Sequence, residues 1–250
     1  MLQKLDFPDA ELYLQGAHLT RFENMLFLSS RSRFEPGQPI RGGIPIVFPW
    51  FGPNPNDASA PQHGWARTAQ WTVRRRTETE VSLRLEHDGF LVRLNYDFSR
   101  ALQVQARVES DTKRSFEFAL HTYFSVSDAT RARVEGLHGR RFIDKTDGGK
   151  RKTELGDVSF HGEVDRVYLD VNAPLHLHDG PNVFALHGDF ASAVVWNPGE
   201  VKAKKMSDLG EGEWRRFVCV EVGVIADNAV TLAPGAQWEM NVSVEEIVES

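Results

Sequence analysis

The 250-residue sequence predicts an all-β protein of antiparallel strands. Apolar residues alternate with polar ones at a period of two in several runs, turn-forming residues separate these runs, and helical periodicity is scarce. Because each run is apolar on one side only, we expect the strands to cover a core as antiparallel sheets do. The expected architecture is one large antiparallel sandwich, with residues 1–250 forming a single domain.

The alternating runs define the strands, and turn signals lie between them. The apolar faces are formed by Val81, Leu83 and Leu85; by Val92, Leu94, Tyr96 and Phe98; by Leu102, Val104, Ala106 and Val108; by Phe116, Phe118, Leu120, Thr122 and Phe124; and by Trp238, Met240, Val242 and Val244. The turn signals are Asp88-Gly89, Asp147-Gly148-Gly149, Asp179-Gly180-Pro181 and Pro234-Gly235. Residues 40–67 and 145–165 are the main segments expected to be irregular, and residues 207–217 are expected to hold at most one short helical turn.

Composition narrows the classes of function. The formal net charge is −6 and the isoelectric point about 5.9, which argues against general nucleic-acid binding. Cys219 is the single cysteine, so no intramolecular disulfide can form, and a reducing cytoplasm is the expected location. The sequence shows neither a signal-peptide pattern nor an apolar run of membrane-spanning length, so no membrane association is expected.

Glu221 is the most unusual residue of the pattern. It lies in "RRFVCVEVGVI", where Val218 and Val220 belong to one apolar face and Phe217 and Cys219 to the other. A strand buried on both faces makes a lone carboxylate costly, and burial would raise its pKa toward the range of a general base at neutral pH. Pairing with an arginine, or a position at a strand end open to solvent, would explain the residue equally well.

His121 in "FALHTYF" faces away from the predicted core, on the side of Glu117, Ala119 and Tyr123. A histidine on a sheet face is more often simply hydrogen-bonded than catalytic. A histidine and a buried glutamate on two strands can also converge on one pocket and act as acid and base. The spacing alone does not decide between these readings.

The remaining candidates lie in loops and at strand ends. The segment 40–67 is rich in proline and glycine and carries Arg41, Gln62, His63 and Arg67. Arginine forks suit phosphate or carboxylate oxygens, and they can equally brace the loop by binding its free carbonyls. Asp165 in "EVDRVY" could cap a turn, bind sugar hydroxyls or form a surface pair with Arg166.

Two weaker signals are expected to be structural. His176 and His178 stand at i and i+2 on one strand face without a third metal ligand nearby, so no metal site is predicted there. Cys219 is expected to be a core residue.

Several segments together resemble one known family. The segments "IRGGIPIVFPWFGP", "PQHGWAR", "LHTYFSVSD", "EVDRVY", "VVWNPGEVKAKKMSDLGEGEW" and "VCVEVG" occur in the family's order between residue 40 and about residue 223. They resemble the glucose-6-phosphate 1-epimerases, or hexose-6-phosphate mutarotases, within the wider aldose 1-epimerase group. The combination is specific, whereas no single segment would be.

The resemblance implies a β-supersandwich of the galactose mutarotase type and an isomerase that exchanges the α and β anomers of an aldohexose 6-phosphate. By position, His121 matches the family's catalytic histidine and Glu221 its catalytic glutamate. Arg41, Gln62, Arg67 and Asp165 match substrate-binding positions, and His63 lies beside them. The resemblance further implies a phosphosugar as the partner molecule, a monomer, and no cofactor or metal.

The sequence departs from the family pattern at Trp65, Gly199 and Val222, where other residues are common. Three alternative functions stay open at this point. One is a non-catalytic carbohydrate-binding sandwich, and a second is a glycosidase with Glu221 and Asp165 as its two carboxylates. The third is a metal-dependent isomerase that uses His63, His121 and Glu221.

Overall fold

Residues 2–248, which the computed structural model describes, form twenty-two strands and one α-helix, α1 (Gly199–Ala203). The strands are β1 (Lys4–Asp6), β2 (Ala10–Tyr13), β3 (His18–Phe22), β4 (Ile46–Val47), β5 (Thr72–Arg76), β6 (Glu80–His87), β7 (Phe90–Asp97), β8 (Leu102–Ser110), β9 (Arg114–Phe116), β10 (Phe118–Leu120), β11 (Tyr123–Ser125), β12 (Arg133–Glu135), β13 (Arg141–Asp144), β14 (Lys150–Thr153), β15 (Val158–Ser159), β16 (Val164–Leu169), β17 (Leu175–Asp179), β18 (Asn182–Gly188), β19 (Ser192–Asn197), β20 (Phe217–Val224), β21 (Val230–Leu232) and β22 (Gln237–Val248). Short 3-10 segments cover Ala129–Arg131, Lys145–Asp147, Glu213–Arg216 and Ala226–Asn228. Residues 1, 249 and 250, which the sequence assigns to the same domain, lie outside the described part.

Two large antiparallel sheets dominate the architecture. One has nine strands in the order β15-β12-β17-β18-β22-β8-β7-β6-β5. The other has eight, in the order β14-β13-β16-β19-β20-β10-β4, with β11 also pairing with β20. A three-stranded sheet, β1-β2-β3, and the pair β21-β9 complete the described strands. The predicted all-β, antiparallel class is confirmed.

The main core receives side chains from both large sheets, as the alternating pattern predicts. The apolar faces of β6, β7, β8 and β22 all pack into it. Strand β20 is buried along its whole length. Its valines at even positions, Val218 to Val224, join the main core, whereas Phe217 and Cys219 join a second cluster on the opposite face of the eight-stranded sheet. The prediction that the strand of Glu221 is buried on both faces is therefore confirmed.

The run 114–126 differs from the single strand that its alternation predicts, because it is interrupted twice. At the first break, the Glu117 carboxylate accepts hydrogen bonds from Phe51 N at 2.7 Å and from Ala226 N at 2.6 Å. At the second, His121 N donates to Pro45 O at 3.0 Å instead of to a paired strand. Both interruptions tie the strand to loops, and the second one lies at the candidate catalytic histidine.

The expectation for residues 145–165 is wrong in part, since the segment contains β14, β15 and the start of β16. Strand β14 lies at the sheet edge and is exposed at all four residues, so it lacks the alternation by which strands are recognised. Residues 40–67 are irregular apart from β4, as expected. Helix α1 is too short to show periodicity, and within residues 2–248 no helix is long and apolar enough to cross a membrane.

Candidate active site

A cavity of about 380 Å³ opens on the face of the eight-stranded sheet that carries the second cluster. Three central strands of this sheet contribute Asp165, Val194 and Glu221 to its wall. The loop 40–67 covers one side. The complete lining is Arg41, Phe51, Gly52, Pro53, Gln62, His63, His121, Lys145, Asp165, Val194, Trp196, Lys202, Met206 and Glu221.

His121 and Glu221 meet at this cavity. His121 Nε2 lies 3.3 Å from Glu221 Oε1, and the two residues are only 7% and 1% exposed. No arginine forms an ion pair with Glu221 within residues 2–248, and the glutamate lies inside a strand, so both structural explanations that the sequence left open are removed. The arrangement places a potential proton donor and a potential proton acceptor side by side.

Burial moves the two groups toward their uncharged forms. It raises the pKa of Glu221 well above its ordinary value, and the nearby charge of Asp165 adds to this while Arg67 opposes it. Burial also lowers the pKa of His121 well below its ordinary value, an effect strengthened by His63. Both shifts favour a neutral carboxyl beside a neutral imidazole, an arrangement with one proton that the pair can transfer.

Aromatic rings orient His121. Its imidazole stacks on Tyr123, with the ring centroids 4.9 Å apart and the planes 6° from parallel. Trp196 and His63 stand nearly perpendicular to it, at 6.0 and 5.7 Å. Nδ1 of His121 is buried and has no hydrogen-bond partner among the described residues.

Arg41 lines the cavity, but most of its guanidinium is already engaged. Nε and Nη2 donate to Asp208 Oδ2 at 3.1 and 3.0 Å, and Nη1 donates to the Tyr123 hydroxyl at 2.7 Å. Of the five N–H groups of an arginine, this leaves two that can reach a ligand. Arg41 therefore faces the cavity and also braces the site, through a carboxylate and a hydroxyl and not through the loop carbonyls that the sequence suggested.

The loop reaches this position because of two glycines. Gly42 and Gly43 have φ angles of 118° and 63°, which favour glycine. A Cβ atom would lie 2.4 Å from Phe27 O at the first position and 2.2 Å from Leu19 O at the second. His18 supports the same turn, since its Nε2 lies 2.7 Å from Gly42 O.

Gln62 and His63 line the cavity from the far end of the loop. His63 N donates to Gly52 O at 2.7 Å, and its Nδ1 accepts a hydrogen bond from Gly52 N at 3.2 Å. Nε2 is therefore the protonated nitrogen of the neutral ring. Burial, followed by the charges of Arg67 and Arg41, lowers the pKa of His63 to about 3. His63 is a neutral hydrogen-bond donor at physiological pH.

Arg67 differs from the other predicted site residues, because it lies beside the cavity and not in its lining. Its Nη2 donates to Gln62 O at 2.7 Å, and within residues 2–248 no carboxylate forms an ion pair with it. Burial lowers the pKa of Arg67 to about 10, and the charge of Arg41 contributes. The residue is a half-buried cation whose charge no neighbour neutralises.

Asp165 projects into the cavity from β16, and its nearest cation is Lys202, at 3.9 Å. Burial raises the pKa of this carboxyl group. The proposed surface pair with Arg166 is not formed, since Arg166 binds Glu154 at 2.7 Å. Asp165 is left with free acceptor atoms that face the cavity.

Several residues of the site are not among those predicted from the sequence. They are Phe51, Tyr123, Lys145, Trp196, Lys202, Met206 and Asp208. Trp196 could have been found from "VVWNP", because it alternates with core residues of a buried strand. Lys145, Lys202 and Asp208 lie in turns or short helices, where no periodicity marks them.

None of the three departures from the family pattern is part of the cavity lining within residues 2–248. Trp65 packs edge-on against Phe48 at 5.2 Å, and Val222 lies in the main core. Gly199 has a φ of 60°, and a Cβ there would lie 2.6 Å from Glu163 N, so this turn accepts only glycine. The departures change the surroundings of the site and not its walls.

The weaker candidates have structural explanations. His178 Nε2 lies 2.9 Å from Glu135 Oε2, and Cys219 is buried in the second cluster. Within residues 2–248, no group of three or more histidine, cysteine, aspartate or glutamate side chains is arranged to hold a metal ion.

Comparison with known proteins identifies the family. The family model described as Aldose 1-epimerase matches residues 4–245. A "Putative glucose-6-phosphate 1-epimerase" from Cenchrus ciliaris is 33% identical, over 96% of this chain and 82% of its own length. One with the same description from Salmonella typhimurium is 34% identical, over 87% and 81%.

Solved structures agree with this result. The crystal structure of a "putative mutarotase" from Salmonella typhimurium superposes with a TM-score of 0.86 at 27% identity, over 98% of this chain and 90% of that one. A galactose mutarotase-like protein from Lactobacillus casei, 17% identical, shares the fold with a TM-score of 0.72 over 99% and 100% of the two chains. The predicted supersandwich is confirmed, and the chain belongs to the aldose 1-epimerase family as a sugar epimerase.

Proposed function

We propose that this protein interconverts the α and β anomers of D-glucose 6-phosphate or a closely related aldohexose 6-phosphate. The observation that carries the proposal is the buried pair of His121 Nε2 and Glu221 Oε1, 3.3 Å apart at a cavity with several cations on its walls. The printed names of the relatives support a phosphorylated hexose as the substrate.

The chemistry needs one base, one acid and no redox step. Glu221 takes the proton of the C1 hydroxyl while His121 protonates the ring oxygen, so the bond from C1 to the ring oxygen breaks and an open-chain aldehyde forms. Rotation about the C1–C2 bond exposes the other face of the aldehyde. The ring then closes with the two proton transfers reversed, and the enzyme regains its starting state.

The protonation of the His121–Glu221 pair is compatible with this mechanism. A neutral Glu221 with a neutral His121 contains the same number of protons as an ionised Glu221 with an imidazolium. Burial favours the uncharged arrangement. A sugar that presents its C1 hydroxyl to Glu221 and its ring oxygen to His121 stabilises the second arrangement by hydrogen bonds to the charged forms. The substrate thereby completes the acid–base pair.

The cations of the cavity differ in how much charge they can offer a phosphate. Asp208 neutralises Arg41, and Glu163 binds Lys202 at 2.5 Å. Lys145, by contrast, lines the cavity and has no ion-pair partner within residues 2–248. Together with the uncompensated Arg67, it is the cation from which a phosphate dianion gains most. We therefore assign phosphate selectivity to Arg67 and Lys145, supplemented by the two free N–H groups of Arg41.

The sugar ring would then lie over Glu221 and His121, within reach of the other predicted binding residues. Asp165 offers acceptor oxygens for sugar hydroxyls, while His63 and Gln62 offer side-chain donors. All three residues line the cavity. This division of roles places catalysis at strand β20 and at the break between β10 and β11, and most of the substrate binding on loops and strand β16.

Magnetisation-transfer NMR tests the proposal directly. The rate of anomer exchange is measured for glucose, galactose and mannose, each with and without a 6-phosphate. We expect strong acceleration for at least one hexose 6-phosphate and weaker acceleration for the free sugars. Spontaneous rates with every phosphorylated hexose would refute the substrate class. Release of the chromophore from an aryl glycoside would favour the glycosidase alternative.

A monomeric state and a cytoplasmic location complete the proposal as predictions from the sequence. The single cysteine, buried in the second cluster, fits a reducing compartment. Light scattering coupled to gel filtration measures the oligomeric state.

A further inference from the structure

We propose that Tyr123 is a positioning residue for His121, which it holds by ring stacking and supports in its protonated form, while Arg41 and Asp208 hold Tyr123. The inference rests on the proposed acid–base role of His121. It gives a function to the hydroxyl, the guanidinium and the carboxylate that form a continuous chain beside the cavity.

The stacking geometry carries the positioning role. A catalytic histidine is usually oriented by a hydrogen bond from its second ring nitrogen. In His121 that nitrogen, Nδ1, has no partner among the described residues. The parallel ring of Tyr123, 4.9 Å away, occupies one face of the imidazole, while Trp196 and His63 confine it from perpendicular directions. Aromatic contacts thus replace the missing hydrogen bond.

Tyr123 also supplies a favourable environment for positive charge on His121. The face of an aromatic ring attracts a cation that lies within about 6 Å of its centroid. The titratable and charged groups that influence or contact His121 are His63, Arg41, Arg67, Tyr123 and Glu221. The two arginines oppose protonation, whereas the ionised Glu221 and the ring of Tyr123 support it until His121 gives its proton to the ring oxygen.

The hydroxyl of Tyr123 is fixed from the other side. It accepts a hydrogen bond from Arg41 Nη1 at 2.7 Å, and Asp208 Oδ2 binds two further nitrogens of the same guanidinium. Burial raises the pKa of Tyr123, so the phenol keeps its proton at neutral pH. The ring is therefore held at its hydroxyl end, and a shift of Arg41 would be transmitted to His121.

Two substitutions separate stacking from hydrogen bonding. Tyr123→Phe keeps the ring and the cation–π contact but loses the hydrogen bond from Arg41, so kcat should fall by about threefold, less than in the leucine variant. Tyr123→Leu removes the ring and should lower kcat roughly 2- to 30-fold, with KM changed less than about twofold, because the lost contact is worth this factor at partly to fully desolvated sites. The acidic limb of the kcat profile should move to lower pH in the leucine variant, because the doubly protonated pair loses its support.

Phe27→Leu is the matched control. Phe27 stacks on Phe217 at 4.8 Å in the same cluster, so its loss changes the packing without removing a ring from His121. Folding of each variant is checked by circular dichroism and Tm. If Tyr123→Leu does not fold, Tyr123→Met, with a larger side chain, takes its place.

A second readout does not depend on turnover. Histidine labelled with ¹⁵N reports the ring environment of His121 at neutral pH, and we expect shifted or broadened signals in the leucine variant but wild-type signals in the Phe27 control. Wild-type kcat and pH profile in Tyr123→Leu, or a loss confined to KM, would overturn the inference. Absence of exchange in the wild-type protein would instead refute the proposed function, while the ¹⁵N signals would still report the stack.

Discussion

His121 and Glu221 are directly opposed across two antiparallel segments. Leu120 pairs with Val222 before the break in the strand, and Tyr123 pairs with Cys219 after it. The register is therefore the same on both sides of the break. Residue 121 therefore stands opposite residue 221, with both side chains on the cavity face. Because strand pairing sets this relationship, the reactive pair is held by the rigid part of the molecule.

Glu221→Gln and His121→Asn should each lower kcat by about 100- to 10,000-fold, because each removes one half of the acid–base pair. The fold should persist, since both replacements are smaller or equal in size and uncharged. Magnetisation-transfer NMR measures the exchange, and thermal unfolding measures stability. We expect Glu221→Gln to be at least as stable as the wild type at pH 8, because it removes a carboxyl group whose ionisation burial opposes.

Exposed residues of the same types provide the controls. Glu211→Gln and His138→Asn change side chains on the surface and should retain wild-type exchange. Near wild-type rates in either catalytic variant would show that the acid and base lie elsewhere.

The sequence predicts the strands around His121 and Glu221, but it does not predict that the two side chains come into contact. The apolar pattern around Glu221 reveals a strand buried on both faces. The position of His121 in the alternating run 114–126 places it on the face away from the core. His121 and Glu221 lie opposite each other because of the strand register, which local sequence patterns do not encode. The break at His121 depends on a backbone contact with Pro45, a residue far away in sequence.

The charged residues of the site show a second limit. Lys145 and Asp208 lie in irregular segments, where the identity of a residue says little about the direction of its side chain. The motif predicts Arg67 in the pocket, yet the residue lies beside the cavity. Only the tertiary contacts show which cations have no carboxylate partner.

Phosphate selectivity gives the next prediction. Lys145→Ala should lower the ratio of kcat/KM for glucose 6-phosphate over glucose by roughly 10-fold or more, because a charge-assisted hydrogen bond contributes about 1.5–3 kcal/mol. Arg67→Ala should lower the same ratio less, because Arg67 lies beside the cavity and acts through its charge. Steady-state exchange rates for the two sugars give the ratio. Lys150→Ala is the control, since Lys150 pairs with Asp147 and is no part of the cavity wall. An unchanged ratio in both variants would place the phosphate elsewhere.

Asp165→Asn should act on binding and on the pH profile. Losing a charged acceptor for sugar hydroxyls should raise KM by about 10-fold or more. The charge of Asp165 also helps to raise the pKa of Glu221, so its removal lowers that pKa. The shared proton is then lost at a lower pH, and the alkaline limb of the kcat profile should move to lower pH.

Asp170→Asn is the matched control for this change. Asp170 is exposed and pairs with Arg141 at 2.9 Å, away from the cavity. It should leave KM and both limbs of the profile unchanged. An alkaline limb that moves to higher pH in Asp165→Asn would contradict the electrostatic coupling of Asp165 with Glu221.

His18 should make the protein sensitive to mild acid. Burial lowers its pKa from 6.5 to about 4, so between these values the unfolded chain binds a proton that the folded chain does not. The free energy of unfolding therefore falls as the pH drops through this range, by about 2 kcal/mol at pH 5 from this one group. Urea unfolding at pH 7.5 and pH 5 measures the difference. His18→Gln keeps a donor for Gly42 O but cannot titrate, so its loss of stability between the two pH values should be smaller by that amount. Equal losses in the two proteins would show that the pKa of His18 does not differ between the folded and unfolded chains, and that this residue does not cause the acid sensitivity.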